Sequence, residues 1–457
     1  MILSKFFALA DREMNLSLRL LALMLTVSVT ASGQKHYVGG DISLLTKYET
    51  QGAQYKDVNG KTINDLLLFL KEQGWNTIRV RLMVDPSKVN DETTGHNRAV
   101  VQDLDYVKAL GARIKAAGLM LMLDFHYSDT WADPGAQWTP DAWKGLSDTQ
   151  LQTQVYEYTR DCLQQLVDAG AAPDLIQTGN EISYGMLWGT KAAVGSNQTN
   201  RCYTNSSSAN WERFFSLLRK AGQACREVCP KAKIILHSER APKPYVLTDY
   251  FDRMKTAGID YDIIGLSFYP YHHGNLGVLE TAIKTLENKN YGKDIQVVEA
   301  GYYHKWQPSD VTFNYSATYP ISHEGQRKYA ADLVAMLKNH PQVNGLSWWY
   351  AEANAKGCKG DLNSGWYNAG LFDNETGRAL PALYELKSLT EGDAEETVKG
   401  DVNGDGSVNV ADISAIIDVM AGTAVTDASP SGTADVNGDG SVNVADISAV
   451  IDIMAGE

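Results

Sequence analysis

Eight short apolar segments separated by stretches of helical periodicity constrain the fold more than any other feature of the sequence. Each segment has the length and composition of a strand buried on both faces of a parallel sheet. In chain order they are YVGGDIS (37–43), TIRVRL (77–82), LMLMLDF (119–125), DLIQTGN (174–180), KIILHS (233–238), DIIGLSF (262–268), IQVVEA (295–300) and GLSWWY (345–350). Helices are predicted between them, among others over 64–73, 104–117, 149–169, 211–228 and 323–339. This alternation predicts an α/β fold, a (β/α)8 TIM barrel.

A doubly wound sheet is the structural alternative, because it alternates strands and helices in the same way. Such sheets often bind nucleotides through a Gly-rich loop after the first strand. No GxGxxG or GxxxxGK[ST] loop follows residues 37–43, which disfavours a nucleotide site.

The N-terminal region has the pattern of an export signal. Ten apolar residues at 20–29 (LLALMLTVSV) follow Arg19 and precede the small residues 30–33. A run this short does not span a bilayer but suits the core of a signal peptide. We therefore expect a signal peptide over 1–33, with Met14 as an alternative start. The predicted location is extracellular, with no membrane association after cleavage.

Charge and aromatic content narrow the ligand class. The chain has 41 Lys and Arg against 55 Asp and Glu, a net charge of −14, and no basic cluster. This balance disfavours nucleic acid, anionic membranes and polyuronic acids as partners. The 10 Trp and 23 Tyr residues suit stacking on sugar rings.

Five cysteines, at positions 162, 202, 225, 229 and 358, permit two disulfides at most. No His or Cys stands at a zinc-ligand spacing from Cys225 and Cys229. We expect buried thiols or a single structural bridge.

The C-terminal region contains an internal repeat. The fifteen residues DVNGDGSVNVADISA occur at 401–415 and again at 435–449, 34 residues later. The acidic segment just before them, EGDAEETVKG (391–400), is poor in apolar residues, as linkers are. We therefore divide the chain after the signal peptide into a large domain over 34–390, a linker over 391–399 and a small domain over 400–457.

Each repeat has the ligand spacing of an EF-hand calcium loop. Oxygen-bearing residues fall at positions 1, 3, 5, 9 and 12, Gly stands at 6, and position 7 supplies a carbonyl. The predicted ligands of two Ca²⁺ ions are Asp401, Asn403, Asp405, Ser407, Asn409 and Asp412, and Asp435, Asn437, Asp439, Ser441, Asn443 and Asp446.

Polar and aromatic side chains end almost every predicted strand, where a barrel of this type places its active site. They are Asp41, Arg79, Arg81, Asp124, His126, Asn180, Glu181, His237, Tyr269, Glu299, Trp348 and Trp349. Among them, Glu181 and Glu299 end strands four and seven. Two carboxylates on one rim can cleave a glycosidic bond with retention of configuration.

Five segments carry a resemblance to a known family. GWNTIRVRLMVDP (74–86), LDFHYSDTWADPGAQWTPDAW (123–143), QTGNEISYGMLW (177–188), IIGLSFYPYHHG (263–274) and VVEAGY (297–302) resemble the signatures of the arabinogalactan endo-β-1,4-galactanases, glycoside hydrolase family 53. The resemblance covers roughly residues 37–390 and implies a retaining endo-hydrolase of β-1,4-galactan that needs no cofactor for catalysis. Glu181 then matches the acid/base and Glu299 the nucleophile.

The resemblance also implies secondary roles. Asn180 would touch the sugar 2-hydroxyl, Tyr269 would orient the nucleophile, and Arg79 or Arg81 would lower the pKa of Glu299. The remaining candidate substrate-binding residues are Asp124, His126, Trp131, His237 and Trp349.

Two stretches depart from the family pattern. Residues 302–320 lack the closely spaced carboxylates of a calcium loop that several bacterial members carry after strand seven, so we expect no calcium in the barrel. Residues 351–373 depart from the usual WEP pattern, so the sequence does not predict the sugar subsites they build.

The C-terminal repeat resembles a dockerin, because position 12 is Asp, one helix follows each loop and the period is 34 residues. The resemblance implies a cohesin-type partner, with Ser414, Ala415, Ser448 and Ala449 at the recognition positions. A calcium-stabilised tail without a partner is the alternative. For the barrel, the alternatives are a related retaining endoglycanase acting on mannan, xylan or glucan, and a non-catalytic glycan-binding barrel.

Overall fold

The computed structural model describes residues 36–89, 98–190, 200–203, 207–308, 311–360, 365–391, 399–403, 408–421, 434–439 and 441–455. They form two compact units, divided between Glu391 and Gly392. The predicted signal peptide over 1–33 lies outside the described residues, as does most of the predicted linker. Within the described ranges, no helix is long and apolar enough to cross a membrane.

The first unit is a closed barrel of eight parallel strands, each paired with the next and the last with the first. The strands are β1 Tyr37–Asp41, β2 Thr77–Leu82, β3 Met120–Phe125, β4 Leu175–Gln177, β5 Lys233–Ser238, β6 Ile263–Phe268, β7 Asp294–Ala300 and β8 Val343–Trp348. The predicted (β/α)8 barrel is confirmed, and the doubly wound alternative is wrong. Strand β4 is shorter than predicted, so Asn180 and Glu181 lie in the loop after it.

Helices surround the strands and cover them from solvent. In this unit they are Leu45–Gln51, Leu66–Glu72, Leu104–Ala116, Asp148–Asp168, Ser208–Val228, Pro244–Thr256, Pro270–His273, Leu276–Lys289, His323–Leu337 and Ala382–Glu385, with short 3₁₀ turns at Pro86–Lys88, Asp141–Trp143 and Leu386–Thr390. Side-chain hydrogen bonds cap the N-termini of several helices. Ser147 and Gln150, for example, form a capping box at the helix that begins at Asp148. The apolar faces of these helices and the strands form one large buried core.

The five cysteines are unpaired, and all except Cys358 are buried. Burial raises the pKa of Cys162 to about 12, which keeps this thiol protonated. The structure therefore agrees with the expectation of buried thiols and not with that of a single disulfide bridge.

The second unit contains two helices, Val410–Met420 and Val444–Ala455, each directly after a repeat loop. Its small core contains Val402, Ile416, Ala434, Val436 and Val450. Val402 corresponds to Val436 and Ile416 to Val450 in the two repeats, so the repeat in sequence is also a repeat in packing. The predicted all-α C-terminal domain is confirmed.

Candidate active site

A cleft of about 540 Å³ opens at the carboxyl ends of the strands. Six of the predicted site residues line it: Trp131, Asn180, Glu181, Tyr269, Glu299 and Trp349. The other five, Arg79, Arg81, Asp124, His126 and His237, are at most 1% exposed and lie behind this surface. The predicted set therefore divides into residues that line the cleft and residues that hold them.

Arg79 is the centre of the buried polar network inside the barrel. Its guanidinium donates to Gln177 Oε1 at 2.7 Å, to Asp41 Oδ2 at 2.8 Å, and to Asp124 Oδ2 and Asn180 Oδ1, both at 2.9 Å. A buried guanidinium is tolerated because each of its arms meets an acceptor or a carboxylate. Through these contacts one side chain of β2 connects groups from β1, β3 and β4.

Glu299 on β7 receives two charge-stabilising contacts. Arg79 Nη2 lies 3.0 Å from Oε1, and the Tyr269 hydroxyl donates to Oε2 at 2.8 Å. Burial raises the pKa of Glu299 to about 7, although Arg79 and the Tyr269 hydrogen bond act to lower it. The expected cation at the nucleophile is therefore Arg79, but burial outweighs the predicted lowering.

Glu181 has the opposite surroundings. It is partly exposed to the cleft, and its backbone has φ +48, a left-handed conformation that is rare for a residue other than Gly. Burial, and then the negative charges of Glu299 and Glu239, hold the pKa of Glu181 well above its usual range. Among the described residues, no Lys or Arg forms an ion pair with Glu181 as Arg79 does with Glu299. Of the two carboxyls, Glu181 is thus the one that keeps its proton.

His237 on β5 fixes the loop that carries Asn180 and Glu181. Its Nδ1 accepts from Gln177 Nε2 at 3.0 Å and from the Glu181 backbone N–H at 3.3 Å, while Nε2 faces Ser267 Oγ at 2.8 Å. Burial, together with the charge of Arg79, holds the pKa of His237 well below its usual range, so the ring is neutral. A neutral ring with Nδ1 as acceptor satisfies these three contacts; Asn180 Oδ1, which also lies 3.0 Å from Nδ1, accepts instead from Arg79.

Arg81 contacts aromatic rings and does not contact Glu299. Its Cζ lies 4.5 Å from the ring centre of Trp131 and 4.8 Å from those of both Trp349 and Tyr350. The guanidinium also donates to Ser43 Oγ at 3.0 Å. Cation–π contacts of this kind fix the orientation of the rings, so Arg81 orients two aromatic residues of the cleft.

His126 and Asp124 form a second buried pair. His126 Nε2 lies 3.1 Å from Asp124 Oδ2, and His126 Nδ1 accepts from the Ala132 N–H at 3.0 Å. Burial acts to raise the pKa of Asp124, but Arg79 and His126 lower it to about 2. This carboxylate stays ionised and compensates the charge of Arg79.

Seven further residues line the cleft and were not predicted: Ala132, Asp133, Pro134, Glu239, His272, His273 and Trp366. Glu239 follows the end of β5 directly, so a wider window at the strand ends would have found it. Both His residues lie in the quoted segment 263–274. Trp366 lies in 351–373, the segment whose subsites the sequence did not predict.

The C-terminal loops present oxygen donors only. Asp412 and Asp446, at position 12 of the two loops, are fully buried. In both loops one carboxylate oxygen accepts the N–H of the third residue at 3.1 Å, and the other accepts the N–H of the ninth at 2.8 Å. Among the described residues, no Lys, Arg or His side chain pairs with either carboxylate, and carboxylate oxygens are the ligands that a hard cation such as Ca²⁺ prefers.

The other predicted ligands lie on the same two loops. Asp401, Asn403, Asn409, Asp435, Asn437, Asp439, Ser441 and Asn443 are described, whereas Asp405 and Ser407 lie outside the described residues. Within the described ranges, no three His, Cys, Asp or Glu side chains group around a common point. Asp435 Oδ1 instead accepts the N–H groups of Gly438 and Asp439, at 2.9 and 3.0 Å. The chemistry of the donors, all oxygen, fits calcium.

Comparison with known proteins gives two family matches. Residues 37–386 match glycosyl hydrolase family 53, and residues 399–454 match the type I dockerin domain. An arabinogalactan endo-β-1,4-galactanase of Cellvibrio japonicus is 32% identical over 80% of this chain and 94% of its own length.

Solved structures agree with this match. The Ignisphaera aggregans GH53 catalytic domain is 32% identical with a TM-score of 0.66, covering 80% of this chain and 98% of its own. A structure of fungal β-1,4-galactanases is 27% identical with a TM-score of 0.62, covering 78% of this chain and 99% of its own.

Proposed function

The chain belongs to glycosyl hydrolase family 53, and from this membership we propose that it is a secreted, retaining endo-β-1,4-galactanase. Its substrate is β-1,4-galactan, the backbone of type I arabinogalactan. The observation that supports this function most is the unequal environment of two carboxyl groups in one cleft. Glu299 has a guanidinium and a phenol donor within 3.0 Å. Glu181 has neighbouring carboxylates that oppose its ionisation.

This difference assigns the steps of a double displacement. Ionised Glu299 attacks the anomeric carbon, and the bond to the glycosidic oxygen breaks as Glu181 donates its proton to that oxygen. The glycosyl–enzyme ester forms on Glu299. Glu181, now a carboxylate, removes a proton from water, which attacks the same carbon and releases Glu299. Glu181 regains its proton, and the product keeps its configuration.

The neighbouring groups support these steps. Asn180 Oδ1 is held by Arg79, and Nδ2 donates to the Ala132 carbonyl at 2.7 Å, which leaves one N–H for the sugar 2-hydroxyl. Trp349 is 6% exposed, and its Nε1 finds no acceptor among the described residues. Its ring lines the cleft, where it can stack on a sugar.

The C-terminal unit is a type I dockerin domain, and this membership implies calcium and a cohesin-type partner. We propose two Ca²⁺ ions, one for each loop, and docking that places the enzyme outside the cell on a scaffold or surface protein. The predicted ligands would hold the ions, which would act as structural supports of the loops and take no part in hydrolysis.

Reducing-sugar release from purified plant glycans tests the function. We expect cleavage of unbranched β-1,4-galactan within the chain, short oligosaccharide products and little release from β-1,3-galactan. Dominant activity on mannan, xylan or glucan would identify a different endoglycanase on the same barrel. Binding to galactan without any release would identify a non-catalytic glycan-binding protein.

A further inference from the structure

A third buried carboxylate, Glu239, lies in the same cleft as the two proposed catalytic groups. It follows β5 directly, and its side chain is 10% exposed. Oε1 accepts from Ser183 Oγ at 2.6 Å and lies 2.8 Å from Arg240 Nε. These two contacts fix the orientation of the carboxylate.

The second carboxyl oxygen of Glu239 lacks a hydrogen-bond donor. Oε2 is buried and finds no hydrogen-bond donor among the described residues. A buried carboxyl oxygen without a donor is unfavourable by itself, and burial raises the pKa of Glu239 although Arg240 and Ser183 act to lower it. Because Glu239 lines the cleft, a hydroxyl group of a bound sugar can supply the missing donor.

The position of Glu239 indicates which sugar this is. Glu239 directly follows β5, beside the loop after β4 that carries Glu181, and Ser183 of that loop donates to it. The aromatic residues Trp349 and Trp366, by contrast, follow β8 on the far side of Glu299. The sugar bound beside the proton donor Glu181, on the other side of the cleaved glycosidic bond from Glu299, is the leaving group.

We propose that Glu239 binds a hydroxyl group of the leaving-side sugar through Oε2, and so contributes to recognition of an internal galactan unit. The proposal rests on the proposed function and adds a recognition residue to it. Arg240 holds the carboxylate and packs its own Cζ 3.9 Å from the ring centre of Tyr184. Arg240 and Tyr184 thus support Glu239 from behind the surface of the cleft.

Glu239 also acts on Glu181 by its charge. The described groups that act on Glu181 include Glu299 from β7, Asp133 from the loop after β3, Glu239 after β5, the Ser267 hydroxyl on β6 and the Tyr269 hydroxyl after β6. The three carboxylates all favour the protonated form of Glu181. Neutralising Glu239 should therefore move the alkaline limb of the pH profile to lower pH, while the acidic limb keeps its position.

Two substrates distinguish the binding role from a structural one. Galactan places a sugar on the leaving side, whereas the 4-nitrophenyl glycoside of β-1,4-galactobiose places there an aryl group without hydroxyls. Glu239→Ala should lower kcat/KM about 10- to 100-fold on galactan, the loss expected for a hydrogen bond to a charged acceptor, and less than about twofold on the aryl glycoside.

Glu239→Gln keeps the shape and provides a second variant if Glu239→Ala does not fold. It should show the shifted alkaline limb and a smaller, galactan-only loss. Glu287→Gln is the control. Glu287 lies on the helix Leu276–Lys289, which does not line the cleft, and its carboxylate pairs with His340. Equal losses on both substrates, or no loss on galactan, would overturn the proposal.

The wild-type activity on galactan tests the proposed function separately. If another β-glycan is the substrate, the loss of kcat/KM in Glu239→Ala on that glycan, compared with the loss on its aryl glycoside, still tests the role of Glu239.

Discussion

At the scale of single residues, the proposed chemistry depends on what stands next to each carboxyl. Arg79 and Tyr269 contact Glu299, and other carboxylates face Glu181. Two residues of the same type thereby acquire different proton affinities, which is how one site can hold both a nucleophile and an acid. Removing either carboxyl should therefore have a different kinetic consequence.

Glu299→Ala should lower the hydrolysis of galactan more than about 1,000-fold, because no other group can form the glycosyl ester. Azide should restore turnover of the aryl glycoside and give a product of inverted configuration. Glu181→Ala should lose about 10²- to 10⁴-fold on galactan but much less on substrates whose leaving group needs no proton. Near-native rates in both variants would contradict the assignment.

The pH dependence of kcat/KM should reflect the different surroundings of Glu299 and Glu181. The raised pKa of Glu299, about 7, places the acidic limb of kcat/KM near that pH, because Glu299 attacks only when ionised. Burial and the neighbouring carboxylates raise the pKa of Glu181 well above its usual range, and its loss of a proton sets the alkaline limb.

Tyr269→Phe removes a donor that favours ionised Glu299, so the acidic limb should move up by about one pH unit. Tyr55→Phe is the matched control, since the Tyr55 hydroxyl donates to the Glu352 carbonyl and contacts neither proposed catalytic group. An acidic limb that stays in place in Tyr269→Phe would show that the hydrogen bond does not tune the nucleophile.

At the scale of elements, closure of the barrel depends on close approach between neighbouring strands. Gly39 of β1 pairs with Thr77 of β2, and a Cβ at position 39 would lie only 1.6 Å from the Thr77 carbonyl oxygen. The backbone cannot yield there without opening the β1–β2 pairing. Glycine is required at this position by packing, since no positive φ is involved.

Gly39→Ala should destabilise the barrel by about 3 kcal/mol, at the upper end of what overpacking usually produces. Gly365→Ala, where a Cβ meets nothing within 4 Å, is the control. Calorimetry with calcium present should show a clearly lower Tm for the first variant only. Equal Tm values would mean that the strands can separate without loss.

At the scale of the whole molecule, the two compact units should respond differently to chelation. The second unit has a core of five buried apolar residues and carries several carboxylates on short loops. Such a core is too small to offset charge repulsion, so calcium binding should be coupled to folding of this unit. The barrel has its own large core.

EDTA should therefore unfold residues 400–457 of the full chain and abolish cohesin-type binding while galactan hydrolysis continues. Asp401→Ala combined with Asp435→Ala should have the same effect without a chelator. Asp418→Ala combined with Asp452→Ala is the control, because both are exposed helix residues outside the loops. Titration calorimetry should give two Ca²⁺ per chain, and a tail equally folded in EDTA would refute the coupling.

The barrel can be predicted from the sequence, because the pattern of strands and helices depends on local periodicity, which neighbouring residues carry. The sequence also placed Glu181 and Glu299 on one rim, since the carboxyl ends of parallel strands share an edge. The spacing of the oxygen-bearing residues in the repeats is likewise local. These features need no knowledge of which distant residues meet.

Only the tertiary structure decided which arginine reaches the nucleophile. Arg79 and Arg81 are two residues apart on β2 and therefore face the same side, so sequence cannot separate them. Their depth in the barrel places Arg79 at Glu299 and Arg81 among aromatic rings. The stagger between strands sets this depth, and it results from packing around the closed barrel.

Tertiary structure also brought Glu239 and Trp366 into the cleft. Their places depend on the paths of loops, which long-range contacts fix and local propensity does not. The same contacts give Glu181 a left-handed backbone after a strand of three residues, Leu175–Gln177. The sequence thus determined which residues carry the proposed chemistry, and the packing of distant segments decided what surrounds each of them.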